Sequence, residues 1–243
     1  MIQPELQEKF RADYNPDGSI LRRQQIKMLD ILLHVDKICK EHSITYWLSS
    51  GTLLGAMRHG GFIPWDDDLD IEMLREDFLR FKRVFKDSED YIIQTPENDL
   101  HYIMPYVKVR DTHSVIEEHS GGENFKHKGI FIDIFALEYT HKFANHQTHM
   151  RLRRIRKFGN RHKRNKFVDA VIAFRKMLAF NSFKIWRALS NLFPGQELRH
   201  TYGTWCYRKA RFEEDLFPLT TIKFEGYDFP APNDSDAYLR KIY

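Results

Sequence analysis

The sequence predicts an α+β fold, in which a mixed β-sheet core is flanked by helices and followed by a largely helical C-terminal region. Three observations predict it. Apolar residues recur every three or four positions over Ile20–Glu41, as in an amphipathic helix. Short apolar segments typical of strands follow, and helical periodicity returns from residue 146 to about 212. We place a boundary near Thr140, with the core over residues 1–140 and the helical region over residues 141–243.

The N-terminal half alternates short predicted strands with helices. Residues 46–48 are a predicted strand, and residues 51–57 have the small polar start and apolar continuation of a turn leading into a helix. Residues 68–73 alternate polar with apolar side chains, as a half-buried strand does. The other predicted elements are a helix at 75–85, strands at 91–94, 102–110, 113–118 and 129–135, and a short helix at 234–243.

Composition and charge narrow the class of protein. The chain of 243 residues is 42% hydrophobic and 14% aromatic, which indicates a folded protein rather than a disordered one. No apolar segment approaches the roughly 20 residues of a membrane span, and the N-terminus lacks a signal-peptide pattern. We therefore expect a cytoplasmic protein. Cys39 and Cys206 are far apart and have apolar neighbours, so both are expected to be buried, reduced thiols.

The net charge of +4 is unevenly distributed along the chain. Residues 151–166 carry nine Lys or Arg and no acid, which predicts a basic surface. Such a surface could bind anionic lipid, a phosphate-rich acceptor or nucleic acid. The alternative is a solvated helix face that binds no partner. Peripheral contact with the inner face of the cell membrane is one expectation, whereas nucleic acid is not an expected partner.

Four carboxylates lie within five residues, from Asp66 to Asp70. On an extended chain Asp66, Asp68 and Asp70 point to one side and Asp67 to the other. Converging carboxylates repel one another unless a divalent cation or a counter-charge lies among them, and oxygen ligands favour Mg²⁺ or Mn²⁺. The alternatives are an acidic surface turn and an EF-hand, and Ile71 counts against the EF-hand because that loop requires Gly there.

The predicted strand at 129–135 is apolar except for Asp133. A buried carboxylate is costly without a partner, so Asp133 either pairs with a basic residue or joins a metal site. Beside the Asp cluster, a shared metal site is the favoured interpretation. No His has a zinc-binding spacing such as H-E-x-x-H, so no structural zinc is predicted.

Other residues have the chemistry to contact phosphate. Gly51 and Thr52 lie at a turn before a helix, where backbone amides and a hydroxyl bind anions, although a plain helix cap is the alternative. Lys108 and Arg110 alternate with valines, so both are expected on one side of a strand, in contact with phosphate. For Arg110 an exposed strand edge protected by charge is the alternative.

Several segments, in this order, resemble the LicD family, which is related to fukutin and fukutin-related protein. They are Ser50-Gly51-Thr52-Leu53-Leu54-Gly55, Arg58-His59, Gly61-Phe62-Ile63-Pro64-Trp65-Asp66-Asp67-Asp68-Leu69-Asp70-Ile71, Lys108-Val109-Arg110-Asp111, Lys128-Gly129-Ile130-Phe131-Ile132-Asp133-Ile134-Phe135 and Phe224-Glu225-Gly226. The resemblance implies a nucleotidyltransferase-like catalytic core. The family has a longer gap between Gly51 and Asp68 than other nucleotidyltransferases, and it continues beyond Tyr243, so we expect a chain shortened at its C-terminus.

The resemblance also implies roles for individual residues. Asp68, Asp70 and Asp133 would be catalytic and would bind metal together with Asp66. The residues expected to contact substrate are Ser50, Gly51, Thr52, Arg58, His59, Trp65, Lys108 and Arg110.

The implied reaction is the metal-dependent transfer of a phosphorylated alcohol from a CDP-alcohol to a glycan or glycolipid. The first candidate is phosphocholine from CDP-choline, transferred to a sugar hydroxyl of teichoic acid, lipopolysaccharide or capsule with release of CMP. A choline group requires aromatic faces, for which Trp65, Tyr102 and Tyr106 are candidates. The alternatives are transfer of ribitol phosphate, glycerol phosphate or NMP, and a non-catalytic module that binds an anionic polymer through residues 151–166.

Overall fold

A computed structural model of the chain describes residues 2–118, 122–163, 165–204 and 209–243. Cys206 and Arg164 therefore lie outside the described residues. The described helices are α1 (Pro4–Tyr14), α2 (Ile20–Glu41), α3 (Ser50–His59), α4 (Arg75–Val84), α5 (Lys142–Arg161), α6 (Lys166–Ser190), α7 (Glu213–Leu216) and α8 (Ser235–Ile242). Within this part of the chain, no helix has both the length and the apolar character needed to cross a bilayer.

The strands form one mixed sheet and one separate hairpin. They are β1 (Trp47–Leu48), β2 (Asp70–Leu74), β3 (Tyr91–Gln94), β4 (Val107–Asp111), β5 (Phe131–Thr140), β6 (Glu197–His200), β7 (Thr220–Phe224) and β8 (Tyr227–Ala231). The sheet has the order β1-β2-β5-β4-β3, with β6 paired to the second half of β5. Strands β2 and β5 are parallel and the other pairs are antiparallel. The predicted α+β class, with a mixed sheet and a helical C-terminal part, is confirmed.

Several predicted elements differ from the observed ones. The strand predicted at 102–110 begins only at Val107, because Pro105 has no backbone donor for a sheet ladder. The strand predicted at 68–73 begins at Asp70. No strand forms over the described residues 113–118, where Ile116 makes a single backbone bond to Lys128. Conversely, β6 lies in the segment predicted to be helical, because its backbone pairs with the second half of β5.

Two hydrophobic clusters stabilise the chain. The larger one fills the space between the sheet, α2, α3, α4, α8 and the β7–β8 hairpin, with Trp47 and Leu32 fully buried. The smaller one lies between α5 and α6 and includes Leu152, Ile172 and Phe183. The division at residue 140 stays a prediction.

A buried polar network centred on Glu72 connects four separate elements. Its carboxylate accepts hydrogen bonds from Arg211 Nη2 at 2.5 Å, His200 Nε2 at 2.8 Å, Tyr238 Oη at 2.5 Å and Trp47 Nε1 at 3.2 Å. Burial alone would raise the pKa of Glu72, but the Arg211 charge and these hydrogen bonds hold it well below its usual range. The carboxylate is therefore ionised inside the protein and fully partnered.

We expect Glu72→Gln to destabilise the protein by roughly 3 kcal/mol, because Arg211 then remains buried without its counter-charge. Urea unfolding followed by circular dichroism measures this. The matched control is Asp236→Asn, which breaks the exposed pair with Arg240 and should leave the stability nearly unchanged. Equal effects of the two substitutions would contradict a central role for the Glu72 network.

Candidate active site

Three adjacent strands place one charged side chain each at the same level of the sheet. Asp70 on β2 is the register partner of Asp133 on β5, and Asp133 is the partner of Lys108 on β4. Directly paired residues point to the same face of a sheet, so the three side chains share one face. Lys108 Nζ lies 2.9 Å from Asp133 Oδ1, and its side chain is almost fully buried. Asp133 therefore both pairs with a lysine and lies beside the Asp cluster.

Residues 66–69 form an irregular loop that α2 holds by its backbone. Gln25 Nε2 donates to Asp66 O at 2.9 Å, and Gln24 Nε2 donates to Asp67 O at 3.0 Å. Asn15 Nδ2 donates to Gln25 Oε1 at 2.7 Å and so orients the buried amide. Because α2 binds the loop through main-chain carbonyls, the carboxylates remain available for other partners.

The loop brings the carboxylates of Asp66, Asp67 and Asp68 together. Each offers one oxygen within 4.8 Å of the other two. The expectation that Asp67 points away is wrong, because strict alternation requires a strand and the strand begins only at Asp70. Asp67 thus joins the candidate metal ligands.

Electrostatic repulsion is strong in this group. Burial and then the charges of Asp133, Asp67 and Asp66 raise the pKa of Asp68 to about 6. Burial and the neighbouring carboxylates raise the pKa of Asp70 well above its usual range. Burial also raises the pKa of Asp133, although Lys108 offsets part of this effect. Within the described residues, Lys108 forms an ion pair with one of these five carboxylates, that of Asp133.

The carboxylate group fits a divalent metal ion. Its donors are all carboxylate oxygens, which Mg²⁺ and Mn²⁺ prefer, and its negative charge exceeds what Lys108 neutralises. Asp66, Asp67 and Asp68 are close enough together to share one ion. Asp70 follows them as the first residue of β2, and Asp133 is its register partner on β5. These residues could hold the metal.

The start of α3 is fixed against the same carboxylates. Thr52 Oγ1 accepts a hydrogen bond from Asp70 N at 2.8 Å, and Ser49 N donates to Asp70 O at 3.1 Å. Among the described residues, no side chain caps the first turn of α3, so its amides can face an anion. A methyl group on Gly51 would lie 2.7 Å from Asp66 Oδ2, so a larger residue at this position would push the Asp66 carboxylate aside.

Ser50 is buried and takes part in a hydrogen-bonded chain. Its hydroxyl lies 3.2 Å from Ser49 Oγ, which in turn lies 2.8 Å from Tyr238 Oη. Tyr238 also donates to Glu72. The expected substrate contacts Ser50 and Thr52 therefore hold the turn in place, and Gly51 is the residue that approaches the carboxylates.

Arg58 and His59 lie in the last turn of α3, with His59 about 14 Å along the helix axis from Ser50, and the Trp65 ring lies 6.1 Å from the His59 ring. His59 Nδ1 lies 2.6 Å from Gln7 Oε1. The Trp65 ring is 51% exposed and meets Phe10 and Tyr14 of α1, with centroid distances of 5.4 Å and 5.2 Å. Phe10, Tyr14 and Trp65 thus form an aromatic cluster, and Trp65 immediately precedes Asp66 in the sequence.

Arg110 is buried away from the carboxylates. It donates from Nε to Gln94 Oε1 at 2.6 Å, from Nη1 to Gly129 O at 2.7 Å and from Nη2 to Glu118 Oε1 at 2.5 Å. Strand β4 is paired on both sides, so Arg110 is not at an exposed edge either. The structure supports a structural role for Arg110 rather than phosphate contact. Tyr102, one of the candidate choline contacts, is also fully buried.

A cavity of ≈ 230 Å³ lies one side chain beyond Lys108. Tyr106, whose ring is 6.0 Å from Lys108 Nζ, forms part of its wall. Arg153 and Arg156 of α5 also line it, together with Thr204. Part of the basic stretch therefore lines a cavity whose wall residue Tyr106 lies near Lys108.

Residue patterns alone did not identify several residues that position the site. Glu225 Oε1 accepts from Phe62 N at 3.0 Å, and Glu225 Oε2 accepts from Arg22 at 2.6 Å, which ties the loop before Asp66 to the β7–β8 turn. The only sequence signal for Glu225 was the Phe224-Glu225-Gly226 segment, which resembles the family. Gln25 and Glu72 gave no local signal, because their partners are distant in sequence.

Comparisons with known proteins identify the family of the chain. The lipopolysaccharide cholinephosphotransferase LicD of Haemophilus influenzae is 29% identical over 245 residues, covering 92% of this chain and 89% of that protein. The human ribitol 5-phosphate transferase FKRP is 46% identical over 44 residues, 18% of this chain and 9% of that protein. The mouse ribitol-5-phosphate transferase FKTN is 30% identical over 71 residues, 29% of this chain and 15% of that protein. Residues 43–167 match the family described as LicD/FKTN/FKRP, nucleotidyltransferase domain. The chain belongs to the LicD family.

Proposed function

We propose that this LicD-like phosphotransferase carries out metal-dependent transfer of phosphocholine from CDP-choline to a sugar hydroxyl of a cell-surface glycan, with release of CMP. The observation that carries the proposal is the meeting of three elements at one point. These are the Asp66–Asp68 carboxylates, the Asp70–Asp133–Lys108 row and the uncapped start of α3. Phosphoryl transfer requires charge neutralisation and positioning, and this arrangement has groups for both.

The chain's own residues would divide the chemistry as follows. Asp66, Asp67, Asp68, Asp70 and Asp133 would hold the metal, which when bound supplies positive charge to the phosphate oxygens. The first amides of α3 would bind the phosphate. Either Asp70 or Asp133 would accept the proton of the attacking sugar hydroxyl, since both carboxylates point to the same face of the sheet. Lys108 would orient Asp133 through its ion pair.

Two observations favour choline as the transferred alcohol. The relative that matches most of the chain is named a cholinephosphotransferase, whereas the ribitol phosphate transferases match short segments. In addition, the exposed ring of Trp65 adjoins Tyr14 and Phe10 beside the Asp loop, and a quaternary ammonium group binds such aromatic faces. Ribitol phosphate is the second candidate for the transferred group, because two of the relatives are named ribitol 5-phosphate transferases.

With Mg²⁺ and purified lipopolysaccharide or teichoic acid, we expect the protein to release CMP from CDP-choline faster than from CDP-ribitol or CDP-glycerol. Nucleotide release is measured by chromatography. Asp70→Asn should lower the rate by at least about a hundredfold, because it removes a metal ligand or base.

The matched control for Asp70→Asn is Asp228→Asn, an exposed acid paired with Lys223, which should leave the rate unchanged. Release of pyrophosphate from CTP in place of CMP would instead establish nucleotidyl transfer. If the wild type shows no turnover and Asp70→Asn binds the glycan as tightly as the wild type does, the protein is instead a non-catalytic module that binds an anionic polymer.

We expect Mg²⁺ or Mn²⁺ to raise the melting temperature of the wild type by about 5 to 10 °C at a hundredfold excess over Kd. Differential scanning fluorimetry in chelated and metal-loaded buffer measures this. Asp68→Asn should lose most of the shift, and in chelated buffer it should melt no lower than the wild type because it relieves repulsion. A full shift in Asp68→Asn would contradict the assigned ligands.

The cavity suits the acceptor, because its wall residue Tyr106 lies next to Lys108, the partner of Asp133, and two guanidinium groups line it. We expect Arg153→Ala with Arg156→Ala to raise the KM for an anionic acceptor about tenfold, with the KM for the donor unchanged. Steady-state kinetics with each substrate varied in turn measures this. Arg154→Ala, on the exposed side of α5, is the control. A rise confined to the donor KM would place the nucleotide in the cavity instead.

A further inference from the structure

Helix α6 has a stripe of large apolar side chains that face away from the protein. The stripe consists of five residues, each between 41% and 76% exposed: Phe167, Phe174, Leu178, Ile185 and Leu189. Their spacings of seven, four, seven and four place them within about 60° of one another around the helix. Leu192 and Phe193, just past the helix end, are also exposed.

A second face of α6, about 120° around the helix axis from the stripe, is already buried in the protein. Val168, Ile172, Ala179 and Phe183 pack in the cluster shared with α5. The helix thus has two apolar faces, whereas the outer face of a helix on a water-soluble protein is normally polar. A continuous exposed apolar surface of this kind indicates a partner.

The charges around the stripe identify the partner's chemistry. Residues 142–190, which form α5, α6 and their connection, contain fourteen Lys or Arg and one acid, Asp169. Three exposed cations of α6, Lys166, Arg175 and Lys184, lie to the sides of the stripe. A second copy of this face would be repelled by its own charge, and nucleic acid does not require an apolar stripe. An anionic lipid surface matches both the charge and the apolar side chains.

We propose that α6 lies in the plane of an anionic membrane surface, with this stripe inserted at the boundary between headgroups and acyl chains. The 25 residues of α6 rest along the surface, and the neighbouring lysines and arginines of α5 and α6 contact lipid phosphates. The inference does not depend on the reaction proposed above, because it requires no substrate.

Flotation of the full chain with phosphatidylcholine vesicles, with and without about 30% of the anionic lipid phosphatidylglycerol, tests the proposal. We expect binding that requires the anionic lipid and weakens in high salt, since surface charge is screened. The triple variant Phe174→Gln, Leu178→Gln and Ile185→Gln should lower the partition coefficient at least about tenfold. Because these side chains are exposed, its circular dichroism spectrum and melting temperature should match those of the wild type.

The control is Val115→Gln, which replaces an equally exposed apolar residue far from α6 in sequence and should bind vesicles as the wild type does. Wild-type binding by the triple variant would overturn the proposal, as would failure of the wild type to bind anionic vesicles. A wild type that is dimeric by light scattering, with a monomeric triple variant, would also overturn it and assign the stripe to self-association.

Discussion

The ionised, buried carboxylate of Glu72 is the interaction on which the rest of the structure depends. It lies two residues beyond Asp70 on the same strand and receives hydrogen bonds from β1, β6, α8 and Arg211. Through Tyr238 and Ser49 the network reaches the turn that begins α3. Because a buried charge is stable only with its partners in place, Glu72 joins the C-terminal segments to the strand that carries the candidate active site.

The candidate site is held rigid by groups that take no part in its chemistry. Gln25, Gln24 and Glu225 fix the loop from residue 60 to 67 through its main chain, and Thr52 fixes the backbone of Asp70. The carboxylates are thereby kept close together although they repel one another. Repulsion between carboxylates that the surrounding hydrogen bonds hold together is typical of functional sites. Such sites lower the stability of the folded protein below what the same fold could reach without them.

Local patterns predicted those elements whose periodicity is strong and whose neighbours are close in sequence. The bounds of α2 and β3 agree with prediction, as does the start of α4. Strand β6 and the β7–β8 hairpin were not predicted, because β6 is defined by pairing with β5 and the hairpin by docking of Glu225 onto the loop at Gly60. The helix α1 was also missed, and it owes its place to contacts of Phe10 and Tyr14 with Trp65.

The sequence by itself determined the family, the α+β class and the set of acidic residues, because these depend on residue types and their order along the chain. Only the tertiary structure decided how those residues are used. It brought Asp67 into the carboxylate group, paired Lys108 with Asp133 and buried Arg110. It also showed that α6 has a second apolar face. The physical reason is that sheet register, burial and ion pairing join residues far apart in sequence, and no local pattern records those contacts.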